Sequence, residues 1–393
     1  MTRYDADAMA VAELLTDQPA YRARQVWDGL YRRLLDPAEM TDLPVALRHR
    51  IDEALPPALA VAAETGSDGG DTVKWLWRLH DGAAIETVLM HYADRATVCV
   101  SSQAGCAMAC GFCATGQAGF VRNLSTGEIV EQVVRAARRA LPRRLSNVVF
   151  MGMGEPLANF DRVWAGIGRI HHDLGLSARH LTVSTIGVVP GIDRLAGAEL
   201  PVNLAVSLHA ANDGLRDRLV PLNRRYPLDA LRRACARYVA ASGRRLSFEW
   251  ALIDATNDRP ADAEELAALA LPLRAHVNLI PLNPTPGYAT PGTPPSGVAA
   301  FCRRLRALGV TTTVRRNRGT GIDAACGQLA AGPPRAQPAR TVRLSPTRME
   351  STSTSPRRTT PSGHTTERTS SPSTTAPGPT TEAPPEAARL AAR

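Results

Sequence analysis

Short apolar runs rich in β-branched residues alternate with helical hydrophobic patterns from residue 97 to residue 315. The runs predict strands at Thr97–Ser101, Asn147–Gly152, Leu181–Thr185, Asn203–Leu208, Leu246–Ile253, His276–Pro281 and Thr311–Arg315. Between them, apolar residues at helical spacing predict helices at Arg162–Leu174, Leu228–Ala241, Ala261–Leu273 and Ser296–Leu308. This alternation predicts an α/β fold with a parallel sheet, open or closed into a barrel, whose functional groups lie at the C-terminal ends of the strands.

The region before this alternation has a different pattern. Apolar residues at helical spacing predict three short helices, at Ala8–Leu15, Ala20–Leu34 and Leu43–Leu55, and two strands follow at Thr72–Leu79 and Ala84–His91. We therefore divide the chain into a helical accessory domain (1–60), a β linker (61–95) and a catalytic domain (96–332). Within the last, the capping-box spacing of Ser125 and Glu128 predicts the start of a further helix.

The composition changes at Gly332. Residues 333–393 contain 11 Pro, 8 Ser and 13 Thr among 61 residues and no aromatic residue. A segment with so few apolar side chains cannot bury enough surface to offset its ordering entropy, so we predict a disordered tail. The tail holds nine Arg and four acids, so it carries +5 of the net charge of +9 and leaves +4 for the rest of the chain.

Charge and hydropathy limit the possible classes of protein. The basic side chains are nearly all Arg, which suits contacts with nucleic-acid phosphates but also follows from genomic composition bias. No run of 18 apolar residues is present, so we predict no membrane span. The first residues carry acids where a signal peptide carries basic residues, which predicts a cytoplasmic protein. In that reducing compartment, seven cysteines favour metal binding or catalysis over structural disulfides.

Three cysteines stand close together after the first strand of the alternation. Cys106, Cys110 and Cys113 have the spacing C-x3-C-x2-C, with Phe112 before the last cysteine. A structural zinc site requires four ligands, and neither a fourth cysteine nor a histidine follows nearby. A 4Fe–4S cluster held by three cysteines keeps one iron open for a ligand such as S-adenosylmethionine. The spacing favours the cluster, and zinc remains the alternative.

Four further cysteines lie outside this motif. Cys235 and Cys302 lie on the apolar faces of predicted helices and are interpreted as core residues. Cys99 lies on the strand that precedes the motif. Cys326 follows Gly319 and Gly321, which predicts a mobile loop rather than a core position.

A series of ordered motifs carries a resemblance to one family. The chain from about residue 20 to 331 resembles the bacterial 23S rRNA (adenine-C2)-methyltransferases of the radical S-adenosylmethionine superfamily. The matching stretches are Ile85–Val88, Cys99–Gln103, Gly105–Gly116, Arg122–Leu124, Gly152–Pro156, Ser184–Thr185, Ser207–His209, Asn278–Pro281, Asn283–Pro284 and Asp323–Leu329. The tail has no counterpart in the family. Ile186 and Trp250 depart from the family pattern, and we expect both to change packing without touching the chemistry.

The resemblance implies a fold and a set of site residues. The fold would be a partial (β/α) barrel, similar to a TIM barrel, with the helical domain before it. Cys106, Cys110 and Cys113 would hold the cluster. S-adenosylmethionine would contact Gly154, Glu155, Ser184, Ser207, Leu208, His209 and Asn283. The catalytic residues would be Cys326 as methyl carrier, Cys99 as resolving thiol and Glu86 as proton acceptor.

The same resemblance implies an activity and partners. The enzyme would methylate C2 of an adenine in 23S rRNA. It would also methylate C2 of the adenine next to the anticodon in tRNA. The reaction would consume two molecules of S-adenosylmethionine per turnover and form S-methyl-Cys326 and then a transient Cys99–Cys326 disulfide. An electron donor such as flavodoxin or ferredoxin and a thiol reductant would be needed, and the protein would act as a monomer. The alternatives are methylation at C8 of adenine, which gives antibiotic resistance, and a non-catalytic zinc- and RNA-binding protein.

Overall fold

A ten-stranded sheet organises the computed structural model, which describes residues 1–330 of the chain. The strands of the described chain are β1 (Ala60–Ser67), β2 (Thr72–Arg78), β3 (Ala84–His91), β4 (Ala96–Cys99), β5 (Gln103–Gly105), β6 (Phe120–Asn123), β7 (Leu145–Phe150), β8 (Leu181–Thr185), β9 (Asn203–Ser207), β10 (Leu246–Leu252), β11 (His276–Pro281) and β12 (Thr312–Val314). In the sheet they follow the order β1-β2-β3-β4-β7-β8-β9-β10-β11-β12, while β5 and β6 form a separate hairpin.

The sheet combines two patterns of pairing. Strands β4 and β7 to β12 pair with one another in parallel, whereas the pairs β1–β2, β2–β3 and β3–β4 are antiparallel. Strand β4 joins the two parts, because it pairs antiparallel with β3, where Val88 lies opposite Cys99, and parallel with β7. The predicted parallel α/β sheet is confirmed. The sequence did not reveal β1, since alanine, glycine and glutamate have little preference for strands.

The helices cover the sheet and connect its parallel strands. They are α1 (Ala8–Leu14), α2 (Tyr21–Tyr31), α3 (Val45–Ala54), α4 (Ala114–Ala118), α5 (Thr126–Ala140), α6 (Phe160–His172), α7 (Val189–Ala196), α8 (Asp213–Leu219), α9 (Leu228–Ser242), α10 (Pro260–Ala270) and α11 (Pro295–Ala307). The capping box is confirmed, because Ser125 Oγ accepts from the backbone N–H of Glu128 (3.1 Å) and Glu128 accepts from that of Ser125 (2.8 Å). Helices α4, α7 and α8 were missed, being only 5 to 8 residues long.

The N-terminal helices pack on α5. Val26, Leu30 and Ile51 are fully buried in a cluster that includes Val130 and Val134 of α5. The boundaries at residues 60 and 95 stay predictions, since residues 1–330 lie within one compact unit. The predicted tail, 333–393, lies outside the described residues. None of the described helices is long and apolar enough to cross a lipid bilayer.

Candidate active site

A cavity of about 160 Å3 lies at the C-terminal ends of the parallel strands. It is called the central cavity here. The residues predicted for the site that line it are Cys106, Cys110, Cys113, Gly154, Glu155, Ser184, Ser207, His209, Asn283 and Cys326. These residues come from six separate segments of the chain, so the parallel sheet brings together residues that lie far apart in the sequence. Leu208 and Glu86 are not part of this lining.

The loop of the three cysteines leaves the hairpin of β5 and β6. Gly105 has a φ of +73°, and a Cβ there would lie 2.0 Å from the carbonyl oxygen of Gly119, so only glycine fits. The backbone N–H of Cys106 then donates to that same carbonyl (2.7 Å), and Cys113 precedes the first residue of α4. These contacts fix both ends of the loop, so that all three cysteines line the central cavity.

The side chains of this loop have the chemistry to bind an iron–sulfur cluster. Burial raises the pKa of the Cys106 thiol to about 11, and nearby Glu155 and Cys113 raise it further. Burial also raises the pKa of Cys110, with Cys113 and Cys106 adding to the shift. Three thiolates that line one cavity repel one another unless a cation lies among them, so the loop is suited to a positively charged metal centre. Among residues 1–330, however, no three metal-binding side chains converge as they stand, so the ligand assignment stays a prediction.

Glu155 follows β7 and is held by the backbone. Gly154 has a φ of +100°, and a Cβ there would lie 2.5 Å from Gln103, which explains the glycine before the acid. The two carboxylate oxygens of Glu155 accept from the backbone N–H groups of Leu157 (3.0 Å) and Ile186 (2.8 Å). Burial nevertheless raises the pKa of Glu155 to about 7. A ligand with an ammonium group would favour the charged carboxylate and be bound by it.

Ile186 corrects one expectation. We expected this departure from the family pattern to leave the chemistry untouched. Instead Ile186 lines the central cavity, and its backbone N–H holds Glu155. Trp250 behaves as expected, because it is fully buried and its indole N–H donates to the carbonyl of Asn257 (3.2 Å).

His209 lines the cavity as a neutral ring. Burial lowers the pKa of His209 to about 3, and the positive charge of Arg216 lowers it further. Its Nδ1 accepts from the backbone N–H of Ala251 (3.0 Å), so the proton of the neutral ring lies on Nε2. The ring packs edge-on against Phe112 with a centroid distance of 4.8 Å. His209 can therefore donate a hydrogen bond and stack, but it cannot supply a charge near neutral pH.

Leu208 contributes to the site through its backbone alone. The side chain is buried in the main core, and the carbonyl accepts from the Nε of Arg216 (3.0 Å). Arg216 also donates to the carbonyl of Ile186 (2.6 Å), so one buried guanidinium ties together the ends of β8 and β9. The sequence did not point to Arg216, because its role depends on the approach of two separate strand ends.

A second cavity, of about 300 Å3, lies beside the first and is called the side cavity. Cys99 at the end of β4 lines it together with Cys326. Cys326, Met151 and Arg315 line both cavities. Both Cys99 and Cys326 are free thiols. Cys326 therefore lies at the junction of the two cavities, with the three-cysteine loop in one and Cys99 in the other.

Neighbouring segments hold the loop of Cys326. Asn283 donates to the carbonyl of Cys326 (3.1 Å), and the backbone N–H of Ala114 donates to that of Gly327 (2.8 Å). The hydroxyl of Thr115 donates to the carbonyl of Leu329. The glycine spacing predicted a mobile loop, but the structure shows hydrogen bonds from α4 and from the segment after β11. The reason is tertiary: the donors lie about 40 residues or more away in the chain.

Glu86 lies behind this loop rather than in the central cavity. Its carboxylate forms an ion pair with Lys74 (2.8 Å), and both side chains are more than nine-tenths buried. It also accepts from the backbone N–H of Ala330 (2.9 Å). Glu86 therefore connects β3 to the end of the Cys326 loop. Its predicted role as a proton acceptor stays a prediction.

One acidic and one basic residue of the site were not predicted from the sequence. Glu249 on β10 lines the central cavity and is buried, and its Oε1 accepts from Asn278 (2.9 Å). Arg315 directly follows β12 and lines both cavities. Arg315 lies at the end of a predicted strand, and functional groups on parallel sheets lie at strand ends, so this position was a signal that could have identified it. Glu249 lies within a predicted strand and had no such signal.

Comparisons with known proteins agree with this geometry. Residues 100–279 match the model of the radical SAM superfamily. A probable dual-specificity RNA methyltransferase RlmN from Salinispora tropica is 54% identical over 342 residues, which cover 83% of this chain and 92% of that protein. The chain belongs to the RlmN family. It is therefore a radical SAM RNA methyltransferase, which removes the non-catalytic zinc protein as an alternative.

Other relatives extend this result. A probable dual-specificity RNA methyltransferase RlmN from Roseiflexus castenholzii is 49% identical, over 84% of this chain and 96% of that protein. The crystal structure of a radical SAM methyltransferase from Sphaerobacter thermophilus has a TM-score of 0.82 and 50% identity, and the match covers 84% of this chain and all of that chain. Membership of the superfamily implies a 4Fe–4S cluster and S-adenosylmethionine.

Proposed function

We propose that the protein methylates C2 of an adenine in 23S rRNA, and of the adenine next to the anticodon in tRNA, through S-methyl-Cys326. The observation that carries this proposal is the position of Cys326 between the two cavities. A methyl carrier must reach the place where a radical forms and also the thiol that releases the product. Cys326 faces the three-cysteine loop on one side and shares the side cavity with Cys99 on the other.

The central cavity would hold the cofactors. Cys106, Cys110 and Cys113 would bind the 4Fe–4S cluster, and the carboxylate of Glu155 would take the ammonium of S-adenosylmethionine. When bound, these groups supply methyl groups and a 5′-deoxyadenosyl radical, one molecule of S-adenosylmethionine being used for each. The backbone around Ser184 and Ser207 and the Nε2–H of His209 would orient the remaining polar groups, while Phe112 and Ile186 exclude water.

Cys326 performs two steps in this proposal. C2 of adenine is electrophilic and cannot attack a methyl sulfonium directly. The thiolate of Cys326 would first take the methyl group of one S-adenosylmethionine. A bond would form between its sulfur and the methyl carbon, while the bond from that carbon to the sulfonium breaks and its electron pair stays on the departing thioether. S-methyl-Cys326 then gives a hydrogen atom to the radical, and its methylene carbon forms a bond to C2 of the adenine. The ring must next lose the C2 proton, for which Glu86 is the proposed acceptor, and one electron, for which the oxidised 4Fe–4S cluster would be the acceptor.

Cys99 releases the product. Its thiolate attacks the sulfur of Cys326, so a sulfur–sulfur bond forms while the bond from Cys326 to the former methyl carbon breaks. The carbon takes up a proton and leaves as the methyl group of the RNA. A Cys99–Cys326 disulfide remains, and a thiol reductant must reduce both sulfurs before the next turnover.

The position of Glu86 limits how it can accept a proton. Its carboxylate is paired with Lys74 and bound to Ala330, so it would have to exchange one of these contacts during the reaction. The pair also anchors the loop, since Lys74 Nζ donates to the carbonyl of Asp323 (3.3 Å). A Glu86→Gln variant that cleaves S-adenosylmethionine normally but forms no methyladenosine would support the proton transfer. Full methylation by that variant would leave Glu86 with the anchoring role alone.

The side cavity has the chemistry to receive RNA. The ring of Tyr92 lines this cavity. The guanidinium groups of Arg95 and Arg318 each lie 4.4 Å from the centroid of that ring. Arg316 lies on the same wall. Cations around an aromatic ring can bind phosphates while a base unstacked from its RNA loop enters the cavity. We therefore propose that the target adenine approaches the two thiols through this cavity.

The deciding experiment is nucleoside analysis of RNA treated with anaerobically reconstituted protein. We expect 2-methyladenosine in 23S rRNA and in tRNA, whereas 8-methyladenosine would overturn the C2 assignment.

A second experiment tests the relay between the two thiols. Cys99→Ala should trap RNA on Cys326, and the adduct should appear as a band that is sensitive to RNase and resistant to reductant. Cys326→Ala and the double variant should trap none. Cys302→Ala serves as the control, since Cys302 is a buried cysteine outside both cavities. Full turnover by Cys99→Ala would rule out the relay.

A further inference from the structure

Arg315 is a partly buried cation that the steps above do not use. It directly follows β12, and its backbone N–H donates to the carbonyl of Leu279 (2.8 Å), which continues the pairing of β12 with β11. At this position, directly after β12, the side chain lines both the central and the side cavity.

The guanidinium has an unusual set of partners. Its side chain donates to the sulfur of Met151 (3.9 Å), and no acid among residues 1–330 forms an ion pair or hydrogen bond with it. By contrast, the buried guanidinium of Arg216 donates to the carbonyls of Leu208 and Ile186. A guanidinium removed from bulk water without an acid partner is costly unless another anion balances it.

The groups that face Arg315 identify that anion. The negative charge on Cys326 is the main cause that raises the pKa of Arg315, and Glu249, Cys99 and Tyr92 contribute in the same direction. In turn Arg315 lowers the pKa of Cys99, against the larger effects of burial and of Cys326, which raise it to about 12. Cys99 and Cys326 line the side cavity together with this arginine, and Cys326 also shares the central cavity with it.

We propose that Arg315 is the positioning residue that stabilises the thiolates of Cys326 and Cys99 as each of them reacts. The inference deepens the proposed function and rests on it. In the first step the Cys326 thiol loses its proton to solvent, and the sulfur lone pair forms the new bond to the methyl carbon. The bond from that carbon to the sulfonium breaks, and its electron pair stays on the departing thioether. In the release step the same charge favours the thiolate of Cys99.

The test measures the reactivity of each thiol without RNA. Reconstituted protein is treated with iodoacetamide, which is neutral, or iodoacetate, which is anionic, and alkylation of the unmethylated Cys326 and Cys99 is followed by peptide mass analysis. Arg315→Gln should slow alkylation of Cys326 severalfold, because its thiolate loses the neighbouring positive charge. It should slow iodoacetate more than iodoacetamide, because the variant also loses the attraction for the anionic reagent. Arg315→Lys should recover much of both effects.

Arg303→Gln is the matched control, since it removes the same charge from an exposed position on α11. Equal alkylation rates for Arg315→Gln, Arg303→Gln and the unchanged protein would overturn the proposal.

If Arg315→Gln does not fold, the wild-type protein still tests the proposal. Cys326 should prefer iodoacetate over iodoacetamide more strongly in the folded protein than in urea, and salt should weaken that preference. No difference between the folded and unfolded protein would overturn the proposal. Absence of 2-methyladenosine from treated RNA is a separate result, which contradicts the proposed function and not the charge of the site.

Discussion

The central cavity and the side cavity share Cys326, Met151 and Arg315, but the chain assembles them in different ways. The three cysteines of the central cavity lie within eight residues of one loop. The two thiols of the side cavity lie 227 residues apart, one at the end of β4 and one after β12. A short loop can keep its metal ligands together by itself, whereas the second pair depends on the packing of the whole sheet.

The two cavities also differ in charge. The central cavity contains a neutral His209 and the buried acids Glu155 and Glu249. The side cavity has a wall of cations, formed by Arg315, Arg316 and Arg318. The first environment suits a metal centre and a ligand with an ammonium group, and the second suits thiolates and an RNA backbone. This contrast leads to four predictions.

The largest effect is expected from the central cavity. Replacing Cys106, Cys110 or Cys113 by Ala should abolish iron incorporation and cleavage of S-adenosylmethionine, because the cluster loses one of its three ligands. Iron content and 5′-deoxyadenosine formation measure this. Alkylation of Cys99 and Cys326 should change little if the two cavities are separate sites. A variant that retains all its iron would refute the ligand assignment.

Lys74→Met should destabilise the anchor of the Cys326 loop. The variant removes the ion pair between Lys74 and the buried carboxylate of Glu86, and breaking a buried pair costs about 3–5 kcal/mol in comparable cases. Denaturant unfolding measures the loss. Glu86→Gln with Lys74→Met should recover part of it, since the double variant buries no charge. A cost below about 1 kcal/mol, the range of exposed pairs, would contradict burial of the pair.

Cys99 should show a steep pH dependence. Because the pKa of Cys99 is raised to about 12, mainly by burial, the thiol form dominates at neutral pH and the thiolate fraction increases with pH. Its alkylation rate should therefore rise about tenfold per pH unit between pH 7 and 9, without a plateau. Peptide mass analysis of the alkylated protein measures the slope. A plateau below pH 9 would show that Cys99 is less buried, or more strongly stabilised by Arg315, than the structure indicates.

The smallest effect is expected from the tail. A chain that ends at Gly332 should keep its thermal transition and its activity in low salt. RNA binding should weaken only modestly and show a shallower salt dependence, because up to nine arginines are removed while those of the side cavity remain. RNA affinity at several salt concentrations measures this. Loss of the thermal transition would mean that the tail has a structural role.

The two cavities also show what the sequence could reveal. Strand periodicity placed β4 and β7 to β12 within a few residues, and the close spacing of three cysteines pointed directly to the central cavity. Arg216 and Arg315 remained hidden, because a single arginine has no local pattern and acquires its role only where separate strand ends meet. Glu86 lay in a recognised motif, yet its pairing with Lys74 depends on the register of β2 and β3.

The anchoring of the Cys326 loop has a consequence for how its motion can be followed. The amide hydrogen of Ala330 is bound to Glu86, next to the carbonyl of Leu329 that is bound to Thr115. Hydrogen exchange at this one amide therefore reports opening of the loop that carries the methyl group. Slow exchange in the resting enzyme and faster exchange during turnover would show that product release requires the loop to detach from β3, and would give the free energy of that opening directly.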